Sequence, residues 1–161
     1  YTFVKRVSHL PQVFLGIAFG WGGVMAWSAV NNTIGLPAIL IFAANIFWST
    51  AYDTIYALMD KEEDVKIGVK STAIFLGKNV YKALYLLYAA VIIILALAGF
   101  IAKMGGVYFA VLFLSGIAFE YMVAILKRSP ARETAFRIFL ANAGIGLLIL
   151  AGIIADYIVR G

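Results

Sequence analysis

Five apolar stretches of about twenty residues, separated by short polar links, restrict this chain to crossing a bilayer repeatedly as helices. They run over about 12–30, 36–58, 80–102, 105–126 and 134–159. Each is close to the ~20 residues that a helix needs to span a hydrocarbon core of ~30 Å. Composition agrees: 64% of the 161 residues are hydrophobic and only 13% are charged, with a mean hydropathy of +0.98. Those values exclude a soluble globular domain. The expected fold class is all-α, a polytopic membrane helix bundle of five transmembrane helices, read as a single transmembrane domain over 1–161. No cleavable leader is read at the start, where Lys5, Arg6, His9 and Pro11 leave no short apolar core. A chain without cysteine gives no indication of its redox compartment.

Positive charge orients the bundle. Of the 13 Lys and Arg residues, only Lys103 and Arg160 fall on one side, and all the others lie in 1–11, 60–82 and 127–137. By the positive-inside rule those three segments face the cytoplasm, or the matrix in a mitochondrial membrane. A bacterial inner membrane or a mitochondrial inner membrane is the expected location. The net charge of +5 is therefore one-sided. Lipid headgroups or a phosphorylated substrate are its nearer counter-charges, and no nucleic-acid partner is expected.

Punctuation between the spans is short. Asn31 to Pro37 forms an uncharged turn with Pro37 suited to a first helical turn, and Ser129-Pro130 stops one helix and starts the next. Residues 60–79 form the one long loop, with Gly68 and Gly77 as expected breaks. Gly16 with Gly20, and Gly144 with its small neighbours, are read as close helix-packing faces. Asn45 and Asn142 are candidates for interhelical hydrogen bonds. Glu120 and Arg137, near the cytoplasmic ends of the fourth and fifth spans, are read as an interhelical ion pair.

Carboxylates cluster at the start of the long loop. In a continuous helix Asp60 and Asp64 would be offset by ~40° with ~6 Å of rise, which lets both reach one hydrated cation. Glu63, about 60° to one side, is placed to assist, whereas Glu62 faces away by about 160°. Hard oxygen donors without thiols favour Mg²⁺, which commonly bridges few carboxylates to phosphate. Lys66 and Lys70, with Lys5 and Arg6 from another helix end, are candidates to neutralise a diphosphate; positive-inside topology alone also accounts for any one of them. Asp53 lies seven residues before Asp60, on the same face and roughly 10 Å further into the membrane, a costly position unless it meets a polar cavity or a partner. Tyr52 and Tyr56 flank it, either lining an aromatic-binding cavity or forming an interfacial belt. Gly68 to Thr72 lacks the Gly-Lys pair and upstream glycine of a nucleotide P-loop, which excludes that reading.

The run Tyr52-Asp53-Thr54-x-Tyr56-Ala57-x-x-Asp60-x-x-x-Asp64-Val65-Lys66-Ile67-Gly68-x-Lys70-Ser71-Thr72-Ala73 resembles the second aspartate-rich motif of the UbiA superfamily of intramembrane prenyltransferases, in its 4-hydroxybenzoate polyprenyltransferase form. The opening Lys5-Arg6-x-x-His9-x-Pro11-Gln12 is similar to the start of that group's fifth helix. The resemblance extends over essentially the whole chain. It implies the last five of nine helices, the C-terminal half of a bundle whose two aspartate motifs face each other. It also implies Mg²⁺-dependent transfer of a polyprenyl group from polyprenyl diphosphate to an aromatic acid, 4-hydroxybenzoate, in ubiquinone biosynthesis. In that reading Asp60 and Asp64 are metal ligands, Lys66 and Lys70 contact diphosphate, and Asp53 orients the acceptor or a basic side chain. An N-terminal half carrying the first motif is then a required partner, and this chain alone is expected to be inactive. Half of a cation or solute transporter, with Asp53 and Glu120 along its path, is the competing reading; the basic loop argues against it.

The charge distribution makes a direct prediction. Single cysteines replacing Asn79 and Asn32 should react with an impermeant thiol reagent from opposite faces of the membrane, and labelling of both from one face would overturn the topology.

Overall fold

The computed structural model of the chain describes residues 10–68 and 70–161, the side chain of Glu62 excepted. Lys5, Arg6 and His9 lie outside the described residues. The described elements are all helical. They are α1 (Pro11–Asn31), α2 (Leu36–Met59), the short α3 (Lys61–Ile67) and α4 (Thr72–Leu76), a 3₁₀ turn (Gly77–Asn79), α5 (Val80–Ile101), α6 (Gly106–Arg128) and α7 (Arg132–Arg160). Among the described residues five stretches are long and apolar enough to cross a membrane, the third running from Thr72 to Ile101. This is an integral membrane helix bundle.

Local chemistry sets the boundaries. Pro11 and Pro37 occupy first-turn positions of α1 and α2, where a missing amide proton costs nothing. Asn32 closes α1 in the left-handed region at φ 54°, its amide donating to Ser28 O at 2.8 Å. Gly68 closes α3 at φ 71°, a conformation that glycine adopts without a Cβ penalty. At the start of α7, Glu133 accepts from Arg137 at 2.6 Å, one turn apart.

Helices α2, α5, α6 and α7 close a four-helix ring in which α2 packs on α5 and α7, and α6 packs on the same two from the far side. Buried between them are Ile55, Leu84, Tyr88, Leu112, Phe119 and Val123. Helix α1 lies against the outside of α2. Gly16 and Gly20 allow that approach: a Cβ on Gly16 would come within 2.8 Å of Ile46 Cα, and one on Gly20 within 2.6 Å of the Phe42 ring. Asn45 Nδ2 donates to Gly16 O across the same seam at 2.9 Å. Small residues and one polar bond thus supply the association that apolar area cannot supply inside lipid.

Two sequence expectations change. Among the described residues nothing lies within 4 Å of a Cβ placed on Gly144, whereas one on Gly152 would come 2.8 Å from Val111, so Gly152 is the closely packed glycine of α7 here. Glu120 and Arg137 do not pair. Arg137 is held by Glu133 on its own helix, while Glu120 lines a groove between α5 and α6, on the side away from α7.

At the end of the bundle opposite the basic loops, Asp156 is almost fully buried and accepts from the amides of Gly105 at 2.7 Å and Tyr108 at 3.2 Å. Arg160 pairs with it at 2.9 Å and also donates to the Lys103 carbonyl. A side chain of the last helix therefore caps the first turn of α6, whose leading amides have no partner within the helix.

Overpacking the α1–α2 seam should be costly where backbone meets backbone. Gly16→Val should destabilise the chain by about 1–3 kcal/mol in detergent unfolding, whereas Gly144→Val should change it by less than about 0.5 kcal/mol. Equal effects would contradict the packing described.

Candidate functional site

Trp48, Tyr52 and Tyr56 of α2, and Asp60 just beyond its end, follow one another at four-residue spacing, so they form one ladder. Antiparallel to them on α7 run Ala143, Phe139, Phe136 and Arg132. Between the ladders lies a groove. Its deeper part, a cavity of about 360 Å³, is lined by Trp48, Tyr52, Phe139, Leu140, Asn142 and Ala143. Its mouth, about 480 Å³, is lined by Tyr56, Met59, Asp60, Arg132, Glu133 and Phe136. Phe139 meets Tyr52 edge-on at 5.9 Å and Tyr56 at 5.3 Å between ring centroids. Both tyrosines thus line the groove, Tyr52 in its deeper part and Tyr56 at its mouth.

Asn142 anchors the deep end. Its side-chain oxygen accepts from Trp48 Nε1 and from Tyr88 Oη, each at 2.9 Å, and its amide donates to Ile138 O at 2.9 Å. Phe119 of α6 stacks on Tyr88 at 4.2 Å and meets Trp48 edge-on at 5.3 Å. One amide and three rings thereby join all four helices of the ring, and every polar atom of the Asn142 side chain is used. This is the helix-bridging role expected for Asn142, with more partners than the sequence could indicate.

The acidic segment differs from the continuous helix that the sequence suggests. Helix α2 ends at Met59, Asp60 takes a non-helical conformation (φ −104°, ψ 5°), and α3 begins at Lys61. The Asp64 amide still donates to Asp60 O at 2.8 Å, so the two aspartates remain one turn apart across the joint. Arg132 reaches over from α7, 3.3 Å from Asp60 and 3.8 Å from Glu63. Both pairs are solvent-exposed and worth under ~1 kcal/mol each. Their effect is to locate the charge at the groove mouth. Among the described residues no three His, Cys, Asp or Glu side chains converge as a metal site. The donor set nonetheless suits a hard cation, because Mg²⁺ is commonly held by one or two carboxylates with phosphate and water completing its shell.

Beyond Gly68, Lys66 is exposed and Lys70 half-buried. Ser71 caps α4 by accepting from the Ile74 amide at 3.4 Å. Gln12, fully buried at the start of α1, accepts from the Thr72 amide at 3.2 Å and from its hydroxyl at 2.5 Å. The loop that carries the lysines is therefore pinned to α1. Asp53 is half-buried on α2, one turn from Tyr56 and two from Asp60. Arg132, Phe136 and Phe139 were absent from the sequence-derived site, although their 3- and 4-residue spacing places them on one helical face.

Loss of the Asn142 junction should be measurable. Asn142→Leu leaves Trp48 and Tyr88 donors buried without an acceptor and should cost about 1–2 kcal/mol in unfolding, more than Tyr88→Phe, which removes a single bond.

The UbiA prenyltransferase family model matches residues 1–150. Curated relatives include the 4-hydroxybenzoate octaprenyltransferases of Cronobacter sakazakii, 44% identical over 98% of this chain and 54% of that protein, and of Edwardsiella ictaluri, 42% identical over 96% and 53%. The chain spans about half the length of these relatives. Among solved structures, a UbiA homolog from Aeropyrum pernix K1 superposes with a TM-score of 0.78 at 26% identity, over 96% of this chain and 58% of that one. A digeranylgeranylglyceryl phosphate synthase shares the fold at a TM-score of 0.71 and 23% identity, over 92% and 51%.

Proposed function

Because the chain belongs to the UbiA prenyltransferase family, we propose that it supplies half of an active site that transfers a polyprenyl group from its diphosphate to an aromatic acid, 4-hydroxybenzoate being the acceptor that the names of the relatives favour. The observation that carries this reading is the aromatic groove between α2 and α7, whose mouth holds Asp60 one turn from Asp64. The complementary half of such an enzyme would supply the facing carboxylates. The active site would open to the cytoplasm or matrix, in a bacterial or mitochondrial inner membrane, where most of the lysines and arginines are expected.

In this reading Asp60 and Asp64 hold Mg²⁺, which when bound supplies positive charge to the donor's diphosphate. Lys66 and Lys70 bind the diphosphate oxygens and stabilise the charge that builds there as the allylic C–O bond breaks. Lys5 and Arg6, which precede α1, are further candidates for the same contact. Arg132 also stands at the groove mouth, 3.3 Å from Asp60. It is placed to keep that carboxylate aimed inward.

Tyr52, Tyr56 and Phe139 present ring faces and edges to a flat acceptor, and Asp53 orients its hydroxyl or a neighbouring basic side chain. The allylic C–O bond breaks with its electron pair leaving on diphosphate, the ring carbon ortho to the hydroxyl bonds to the resulting prenyl cation, and the proton on that carbon passes to the departing diphosphate or to water at the groove mouth. The apolar lower groove excludes the water that would otherwise capture the prenyl cation. The end product belongs to ubiquinone biosynthesis in this proposal.

With the complementary half present, Asp60→Asn and Asp64→Asn should each lower prenyl transfer about 100-fold or more, the scale of one lost transition-state electrostatic contact. Glu62→Gln should stay near the parent rate. Tyr52→Ala should raise KM for the aromatic acid more than it lowers kcat. A Glu62→Gln defect as deep as that of Asp60→Asn would refute the assignment of the aspartate pair.

A further inference from the structure

Gln12 is fully buried where α1 begins, and its Nε2 is enclosed without an acceptor among the described residues. Its Oε1 is the occupied end, accepting from the Thr72 amide at 3.2 Å and from the Thr72 hydroxyl at 2.5 Å. A buried donor left unpaired is costly. A methionine of the same length would leave no donor unpaired, so the glutamine is explained by what its oxygen holds. Thr72 opens α4, and its amide is one of the leading donors that have no partner inside a helix. Ser71 before it is extended (φ −142°, ψ 157°), which puts the Lys70 backbone ~7 Å from the residue held by Gln12. The covalent route from the aspartates to Lys70 sets that position poorly, because it runs through Gly68, left-handed and with nothing within 4 Å of a Cβ placed there. The route through α1 is stiffer. Pro11 fixes the turn in which Gln12 stands. One turn on, a Cβ on Gly16 would meet Ile46 Cα of α2 at 2.8 Å, and Asn45 bonds across the same seam at 2.9 Å. Helix α2 leads directly into Asp60, so α1 connects the aspartates to the lysine segment through rigid packing.

We infer that Gln12 is a positioning residue, which sets Lys70 at the place where it meets the diphosphate of the prenyl donor. It touches no ligand itself and acts through Thr72. The inference rests on the prenyl-transfer reading for the identity of that ligand. It assigns to the start of α1 a task that the aspartate segment cannot perform across Gly68, namely keeping a cationic side chain in register with Asp60 and Asp64. The acceptor groove between α2 and α7 lies apart from these bonds, so Gln12 serves the donor alone.

The test uses the protein assembled with its complementary half. Calorimetry measures the binding of magnesium pyrophosphate, and radiolabel transfer gives KM for polyprenyl diphosphate and for 4-hydroxybenzoate. Gln12→Met should weaken pyrophosphate binding about tenfold, the scale of one hydrogen bond to a charged group. KM for the donor should rise with it, while KM for the aromatic acid stays within about twofold of the parent. Gln12→Glu keeps an acceptor at the same reach and should recover most of the affinity. Thr72→Val loses only the hydroxyl bond and should show the same pattern at about threefold, so it decides the matter if Gln12→Met does not fold. Deuterium exchange across 70–76 should quicken in Gln12→Met while α5 and α6 keep the parent rate, which separates a loosened loop from a loosened bundle. Unchanged pyrophosphate affinity, unchanged exchange, or a loss shared equally by both substrates would overturn the role of Gln12. A parent protein that binds pyrophosphate but transfers no prenyl group would sink the prenyl-transfer reading, and the pyrophosphate and exchange measurements would still decide on Gln12. A parent that binds no pyrophosphate would overturn both.

Discussion

The side chain of Asn142 holds the architecture together. In lipid there is no general hydrophobic gain from bringing apolar helices together, so association depends on close packing and on the few polar bonds that cross between helices. Asn142 makes two such bonds from a single oxygen, to Trp48 on α2 and Tyr88 on α5, and the stacked Phe119 brings in α6. Four helices thus share one register at mid-bundle. The α2–α7 groove begins at this junction, so the spacing of its two aromatic ladders is fixed where it is deepest and the mouth inherits that alignment.

From that junction to the groove mouth the environment changes in steps. A hydrogen-bonded amide comes first, then the rings of Tyr52, Phe139, Tyr56 and Phe136, then a carboxylate and a guanidinium. Such an order suits a ligand with a charged head and an apolar or aromatic body, and in a bilayer it places the charged head where water can reach it. The aspartates meet this requirement by standing at a joint. Ending α2 at Met59 and restarting at Lys61 keeps Asp64 one turn from Asp60, and it frees the direction of α3 from the axis of the span below.

Much of this was legible in the sequence, because membrane spans announce themselves by composition. The five helices fall where apolar length requires them, with Gly68, Pro37 and Ser129-Pro130 acting as read. The aspartate motif was legible as well, as a resemblance and as a spacing. The joint at Asp60 was not, since no glycine or proline lies between Asp53 and Ile67 to mark it. Nor was the partner wall on α7, because which helix faces which is settled by long-range packing that one sequence does not encode in any window. Glu120 and Arg137 illustrate this limit. Both sit at similar depth on adjacent helices, but Arg137 had a cheaper partner one turn away in Glu133, and Glu120 faces another neighbour.

Asp156 has a bearing on how the chain is made. The amides of Gly105 and Tyr108 are satisfied by a residue synthesised about fifty positions later. When the α5–α6 hairpin first enters the bilayer, its turn must keep those donors in the wet interfacial layer, and it can settle only when α7 arrives from the ribosome. The last helix is in this sense the keystone of insertion. A chain stopped short of Asp156 would hold the hairpin at the wrong height, even though every residue of the α2–α7 groove had already been made.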